Sequence, residues 1–223
     1  MLLGSALAAA LCSFTIPTPP TRVQARLRQS FVTIVRQPKI LSFFMVHFLL
    51  QLSHAPYYSF FSLYLEGHGY SRGVIGLLWA LGVLAEVLAF TQTHRLLARF
   101  SEYQLIVCCL TLAAVRWCAI AWAVETPVIL WSVQSLHAFT FAVFHAAAMQ
   151  LIFREFGEGQ QGQGQALYSA LWGLGVAIGS WLTGMVWAAW GASVIYSIAA
   201  LVCLLAWLLI RQVWRSPAYL NIL

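Results

Sequence analysis

Long apolar runs alternate with short polar interruptions along almost the whole chain. After an apolar opening at 1–16, MLLGSALAAALCSFTI, six further runs fall at about 40–65, 73–93, 104–123, 128–153, 165–190 and 193–210. Turn-like segments such as EGHGYSR, ETP and WGAS separate them. A bilayer core about 30 Å thick is crossed by roughly 20 helical residues, so the pattern predicts an all-α, polytopic membrane protein. The opening run is marginal in length and reads as the tail of a longer transmembrane helix. It is not read as a signal peptide, since no basic residue precedes it and no small-x-small cleavage site follows.

Two runs carry polar stripes. His47, Gln51, His54 and Tyr58 follow i, i+4, i+7, i+11 spacing, and Gln134, His137, Phe141, His145 and Ala148 share a similar helical face. Such stripes are unfavourable against lipid, so both faces are expected to point at neighbouring helices or a water-filled path. Pro56 is expected to break or bend the run at 40–65, because proline removes an internal hydrogen bond. The adjacent Tyr57 and Tyr58 are candidate substrate contacts, whereas Tyr64 and Tyr70 fit an interfacial aromatic belt better.

Composition sharpens the picture: 61% of residues are hydrophobic and 8% charged, which no soluble domain of this size reconciles with a polar surface. The net charge of +6 lies between apolar runs and not on an aromatic-studded polar face, so nucleic acid is not an expected partner. The five cysteines lie in apolar segments without metal-ligand spacing and read as small hydrophobes. No serine motif, HExxH or acidic pair points to an enzyme, and no cofactor is expected. The glycines of FGEGQQGQGQ, at 156–165, follow no strand and carry no Lys-Ser/Thr, so that stretch reads as a flexible cytoplasmic tether.

Charge sets the topology. The 17–39 connector holds Arg22, Arg26, Arg28, Arg36 and Lys39, and its paired prolines stop the preceding helix. If it is cytoplasmic, Arg95, Arg99, Arg154, Arg211 and Arg215 fall on the same side and only Arg72 on the other. Six spans then occupy 40–211, with the tail at 212–223 in the cytoplasm. The segment LWALGV at Leu78–Val83 returns as LWGLGV at Leu171–Val176, an offset of 93 residues. With three helices per unit, the two units have opposite membrane orientation, a 3+3 inverted repeat. Glu86 aligns with Gly179, so its charge belongs to one unit only.

Glu86 is the one carboxylate inside an apolar run, and Arg116, in TLAAVRWCAIAW, is the one cation at such depth. Burying such a group costs roughly 2.5–3.5 kcal/mol on insertion scales and marks a functional site with a nameable partner. Glu86 and Arg116 are expected to pair, directly or through water or substrate; the alternative is a static pair joining two helices. His137 and His145, opposite them, are candidate proton carriers, and His54 is a further one. Each histidine pair is about 11 Å apart along its helix, too far for one metal ion unless other helices converge.

The stretches HAPYYSFFSLYLEGHGYSRGVIGLLWALGVLAEVLAF, VRW and HAFTFAVFHAAAM, in this order and spacing, resemble the phenylpropionate permease family of major facilitator transporters. The resemblance covers the carboxyl-terminal half of such a protein, entering near the end of its sixth helix. It implies a six-helix carboxyl-terminal bundle, multi-pass in a bacterial inner membrane, and proton-coupled uptake of a small aromatic acid. The chain is also similar in plan to oligosaccharide/proton symporters, where a Glu in the eighth helix, an Arg in the ninth and a His in the tenth serve substrate and proton. On that pattern Glu86, Arg116 and either His137 or His145 take those roles. The additional lysine and carboxylate of that tenth helix have no counterpart here. Because one bundle offers one wall of a central site, the resemblance implies a truncated frame or a fragment. An amino-terminal half, or a second copy, would supply the other wall. A sugar or nucleoside symporter and a non-transporting assembly subunit are the other readings.

Overall fold

The computed structural model describes residues 30–214, and these are helical with no strand among them. The short α1 (Phe31–Val35) precedes α2 (Pro38–Gly67), α3 (Arg72–Arg99) and α4 (Glu102–Trp122). Next, α5 (Pro127–Ser135) passes through a turn at Leu136 and a π-helical segment, Phe139–Val143, into α6 (Phe144–Glu155). The last element, α7 (Gln161–Trp214), is two helices meeting at Gly191, whose φ of 73° and ψ of 162° are non-helical. Pro38–Gly67, Arg72–Arg99, Glu102–Trp122, Pro127–Glu155 and Gln161–Trp214 are each long and apolar enough to cross a membrane. The protein is an all-α, multi-pass membrane protein. The predicted partial helix at 1–16, the 17–39 connector up to residue 29 and the tail beyond residue 214 lie outside the described residues.

Local chemistry explains where these helices begin. Proline opens α2 and α5, where the missing amide hydrogen would have had no intrahelical partner. The Ser71 hydroxyl caps α3 by accepting from the Val74 amide. At the start of α4 Ser101 and Gln104 form a reciprocal capping box.

Three local expectations change. Pro56 does not interrupt α2, which continues through it; the stretch is buried, and the Pro56 carbonyl accepts from the Tyr196 hydroxyl at 3.3 Å. Nor is 156–165 a tether throughout, because α7 already starts at Gln161. Gly164 makes that possible: a Cβ there would stand 2.9 Å from Ile152 Cγ2 and 3.2 Å from the Phe156 ring, so only glycine lets the new helix turn close over α6. Tyr64 is buried and faces no lipid; its hydroxyl lies 3.3 Å from the Ile120 carbonyl, and Tyr70 donates to Val124 O at 2.6 Å. These phenols join α2 and the loop after it to the end of α4.

The core sits around α2. Seventy-two per cent of its most apolar window is buried, against 17% for α3, so α2 is central and α3 peripheral. The most extensive packing is of α2 against α7, at Gly175 and Gly179. A Cβ at Gly179 would fall 2.5 Å from Ala55 Cβ and 2.7 Å from Leu52 O, and one at Gly175 would fall 2.9 Å from Phe48 O. Small residues here let two backbones touch. One end of the bundle is closed by ion pairs: Lys39 with Glu155 at 3.0 Å, and Arg154 with Glu102 at 2.8 Å and Glu155 at 3.1 Å. The Trp214 indole donates to Ser42 Oγ beside them. Tyr64, Tyr70 and Trp122 lie at the other end.

Candidate functional site

Arg116 is fully buried in α4, and a buried guanidinium must find acceptors. Nη1 donates to His137 Nδ1 at 3.1 Å and reaches Thr140 Oγ1 at 3.5 Å, while Nη2 donates to Gln134 Oε1 at 3.1 Å. The flat face of the cation lies 4.2 Å from the Tyr57 ring centre and 4.7 Å from the Trp117 ring centre, positions where ring quadrupoles offset part of the cost of burial. Gln134 is itself fixed: its Nε2 donates to the Tyr57 hydroxyl and to the Leu78 carbonyl, both at 3.3 Å. One arginine thus ties together α2, α3, α4 and the helix that holds Gln134, His137 and Thr140.

Those three residues are spaced by three along the chain, and the turn at Leu136 and the π-helical segment fall among them. A π-helical turn inside an otherwise regular helix changes the register of the residues beyond it and recurs at functional sites. Here it begins two residues after His137 and contains Thr140.

Glu86, on α3, meets the other side of the same imidazole: its Oε1 lies 2.5 Å from His137 Nε2. Glu86 and Arg116, expected to pair directly or through water or substrate, are therefore linked in a chain through His137 instead. The reason is packing. Although α3 and α4 are consecutive, they share little contact, and the helix of residues 127–155 packs against both. The donors fix the tautomer. A guanidinium can only donate, so Nδ1 accepts, and the ring proton sits on Nε2, directed at the Glu86 carboxylate.

The carboxylate and the imidazole border a cavity of about 350 Å³, lined otherwise by Tyr58, Trp79, Phe141, Trp172 and two valines. Tyr57 and Tyr58, though adjacent, divide their tasks: Tyr57 is buried beneath Arg116, and half-buried Tyr58 faces the cavity. A larger opening of about 580 Å³ lies among Gly67–Tyr70, Glu125 and Pro127, in the loops and away from Arg116.

His145 does not join Arg116 and Glu86. Its Nδ1 lies 3.3 Å from the Tyr168 hydroxyl, in a second cavity of about 180 Å³ that shares Phe141 and Trp172 with the first. His54 is close but not bonded to the chain: its ring centre is 6.4 Å from that of His137 and 4.8 Å from that of Trp117. Nδ1 of His54 donates to Leu50 O at 2.8 Å, which leaves a buried Nε2 lone pair without a partner. His47, farther along α2, stacks on Tyr168 at 3.8 Å and bonds its backbone carbonyl. Among the described residues no three His, Cys, Asp or Glu side chains are grouped to hold a metal ion.

Gln134 and Thr140 are contacts of Arg116 that the sequence does not single out as candidate site residues. A signal is present, since Gln134 shares a helical face with His137 and Thr140 sits one turn from His137. The π-helical segment left no comparable sign.

Residues 5–198 match the family described as the MFS_1 like family. The chain is also similar to a protein of Escherichia coli (strain K12) described as a probable 3-phenylpropionic acid transporter, with 38% identity over 123 residues. That stretch is 55% of this chain and 32% of the relative, so the match spans about a third of the relative's length.

Proposed function

The chain belongs to the MFS_1 like family, and on that premise we propose that it forms the carboxyl-terminal, six-span bundle of a proton-coupled carrier for a small aromatic carboxylate. The spans are α2, α3, α4, the 127–155 helix and the two arms of α7. The observation that carries the reading is the buried series Arg116, His137, Glu86 at the edge of a cavity walled by aromatic rings.

The chemistry follows from charge. With His137 neutral, Arg116 and Glu86 balance each other. A proton added to the free oxygen of Glu86 leaves the Nε2–H contact in place but removes the negative charge. Arg116 is then a buried cation without a counter-ion, and a substrate carboxylate supplies one. Proton and anion enter together as a neutral pair, which a bilayer-embedded site tolerates far better than either charge alone. Tyr58, Trp79 and Trp172 give the ring of the substrate apolar and aromatic surface. A sugar or nucleoside would need hydrogen-bonding groups around its ring, and this cavity has them at one edge only. His54, with its unshared Nε2, stands next in line to exchange a proton with this group.

The same reading covers placement. The ion-paired end carrying Lys39, Arg154 and Glu102 is the cytoplasmic end of a bacterial inner-membrane protein. The face of α3 that meets no neighbour, with Leu77, Leu84 and Leu88 exposed, looks toward an amino-terminal bundle or a second copy, which together with this chain encloses the substrate. The LWxLGV segments mark the two units of an inverted repeat.

Uptake of labelled 3-phenylpropionate by cells carrying the full-length protein tests the proposal. Accumulation should collapse on adding a protonophore, and Glu86→Gln should retain exchange of substrate across the membrane while losing accumulation. Accumulation that is indifferent to the protonophore would sink the coupling to protons.

A further inference from the structure

The second cavity is not explained by charge balance at Glu86. It shares Phe141 and Trp172 with the first, and among its mostly apolar walls it adds the polar side chains of Gln51, Thr140, His145, Tyr168 and Ser169. Gln51, 3% exposed, brings an amide whose carbonyl oxygen is buried without a hydrogen-bond partner. Ser169 brings a hydroxyl, and His145 and Tyr168 bring a mutually bonded imidazole and phenol. A buried acceptor left unsatisfied is uncommon and calls for a donor from elsewhere.

The spacing gives that donor a place on the substrate. Ring centres step from His137 to Phe141 by 5.9 Å and from Phe141 to His145 by 6.4 Å, with the last two rings nearly parallel at 9°. One aromatic shelf therefore runs from the His137–Glu86 pair to His145, and the cavity at its far end is lined by Gln51 and Ser169 together with Thr140, which Arg116 Nη1 reaches at 3.5 Å. An acid held by its carboxylate near Arg116, with a two-carbon tether and a benzene ring along the shelf, brings the far edge of that ring to the second cavity.

We propose that this second cavity is a hydroxyl-binding subsite, and that the preferred substrate is an arylalkanoic acid with a hydroxyl on its ring. The inference rests on the carrier reading above and narrows its substrate class. The ring hydroxyl donates to the Gln51 carbonyl oxygen and accepts from Ser169. Unsubstituted aromatic acids still fill the first cavity but leave the Gln51 oxygen unmet.

Competing uptake of 3-phenylpropionate and of its meta- and para-hydroxy analogues, by cells carrying the full-length protein, decides the matter. In wild type the better hydroxy analogue should have a KM about tenfold below that of the unsubstituted acid, the worth of one net hydrogen bond. Gln51→Leu and Ser169→Ala should each pull the two KM values together. Ser169→Ala removes one oxygen from a helix that keeps its backbone, so it remains informative if Gln51→Leu folds poorly. Equal KM values in wild type, as expected for a cavity that holds water only, overturn the subsite and leave the carrier reading standing. Variants that raise both KM values by the same factor do likewise. If none of the acids is accumulated, the carrier reading fails and takes the subsite with it.

Discussion

The segment Leu78–Glu86 in α3 and the segment Leu171–Gly179 in α7 carry the same LWxLGV pattern at an offset of 93 residues; Gly82 in the first, and Gly175 and Gly179 in the second, face a neighbouring helix. In α7 the approach is closed. Gly175 and Gly179 leave less than a methyl group's room against the α2 backbone, with Leu52 O and Ala55 Cβ inside 3 Å of where a Cβ would stand at Gly179. In α3 the approach is loose. A Cβ at Gly82 would meet His137 Cδ2 at 3.5 Å and the Tyr57 hydroxyl at 3.8 Å, both ordinary contacts. At the position equivalent to Gly179, α3 has Glu86. Where the segment continues to Gly179, two helices lock; where it continues to a carboxylate, the gap between helices holds the Glu86–His137 ion pair.

Exchanging the two residues would break the comparison most severely. Gly179→Glu forces a side chain into backbone and a charge to bilayer depth. The first costs about 1–3 kcal/mol as overpacking, and the second roughly 2.5–3.5 kcal/mol on insertion scales. Little folded protein should be recovered from membranes, as judged by size-exclusion profiles in detergent. The reverse change, Glu86→Gly, should be survivable. It deprives His137 Nε2–H of its acceptor, a loss of about 1–3 kcal/mol, and it should lower the thermal midpoint modestly while abolishing the proton-driven accumulation proposed above. Similar stability losses for the two variants would mean that the segments are not packed differently.

Much of this was legible in the chain. The apolar runs, the isolated Glu86 and Arg116, the histidine rows and the LWxLGV echo all stand in the primary structure because bilayer depth makes each polar residue conspicuous. What the chain could not supply was which helices touch. Glu86 and Arg116 sit on consecutive helices joined by a short connector, so sequence order favoured direct contact, yet the 127–155 helix lies against both and interposes His137. His137 and His145 share a helical face in projection, but they face different cavities on either side of Phe141. Pro56 illustrates a different limit: proline signals a lost hydrogen bond, and tight packing around α2 decides that the helix continues. Gly164 likewise read as tether composition, when its missing side chain is what lets α7 begin against Phe156.

A smaller effect is expected at Gly175→Ala. The new methyl would stand 2.9 Å from Phe48 O and from Gln51 Cβ, and 3.2 Å from the Leu52 amide nitrogen, so part of the α2 backbone must move. Alanine recovers up to about 1 kcal/mol of helix propensity, which offsets part of an overpacking cost of about 1–3 kcal/mol. A net loss of about 1 kcal/mol follows from these two. It should be read as a lower thermal midpoint in a folded, membrane-inserted protein.

Gly82→Ala is the counterpart in the open segment, and the expected change is smallest there. The neighbours are one edge of an imidazole and one phenol oxygen, both at ordinary contact distance, and no backbone atom is among them. The propensity term then acts almost alone, so the variant should be as stable as wild type or more so by up to about 1 kcal/mol. The methyl also narrows the space beside the His137 ring, which fixes that ring more firmly between Arg116 and Glu86. The difference between Gly175→Ala and Gly82→Ala, measured as paired thermal midpoints in one detergent, isolates packing because the same atoms are added to the same residue of the same motif. A loss at Gly82 as large as that at Gly175 would show that the helix carrying Glu86 is seated as tightly as its counterpart, and the open gap assigned to the carboxylate would have to be abandoned.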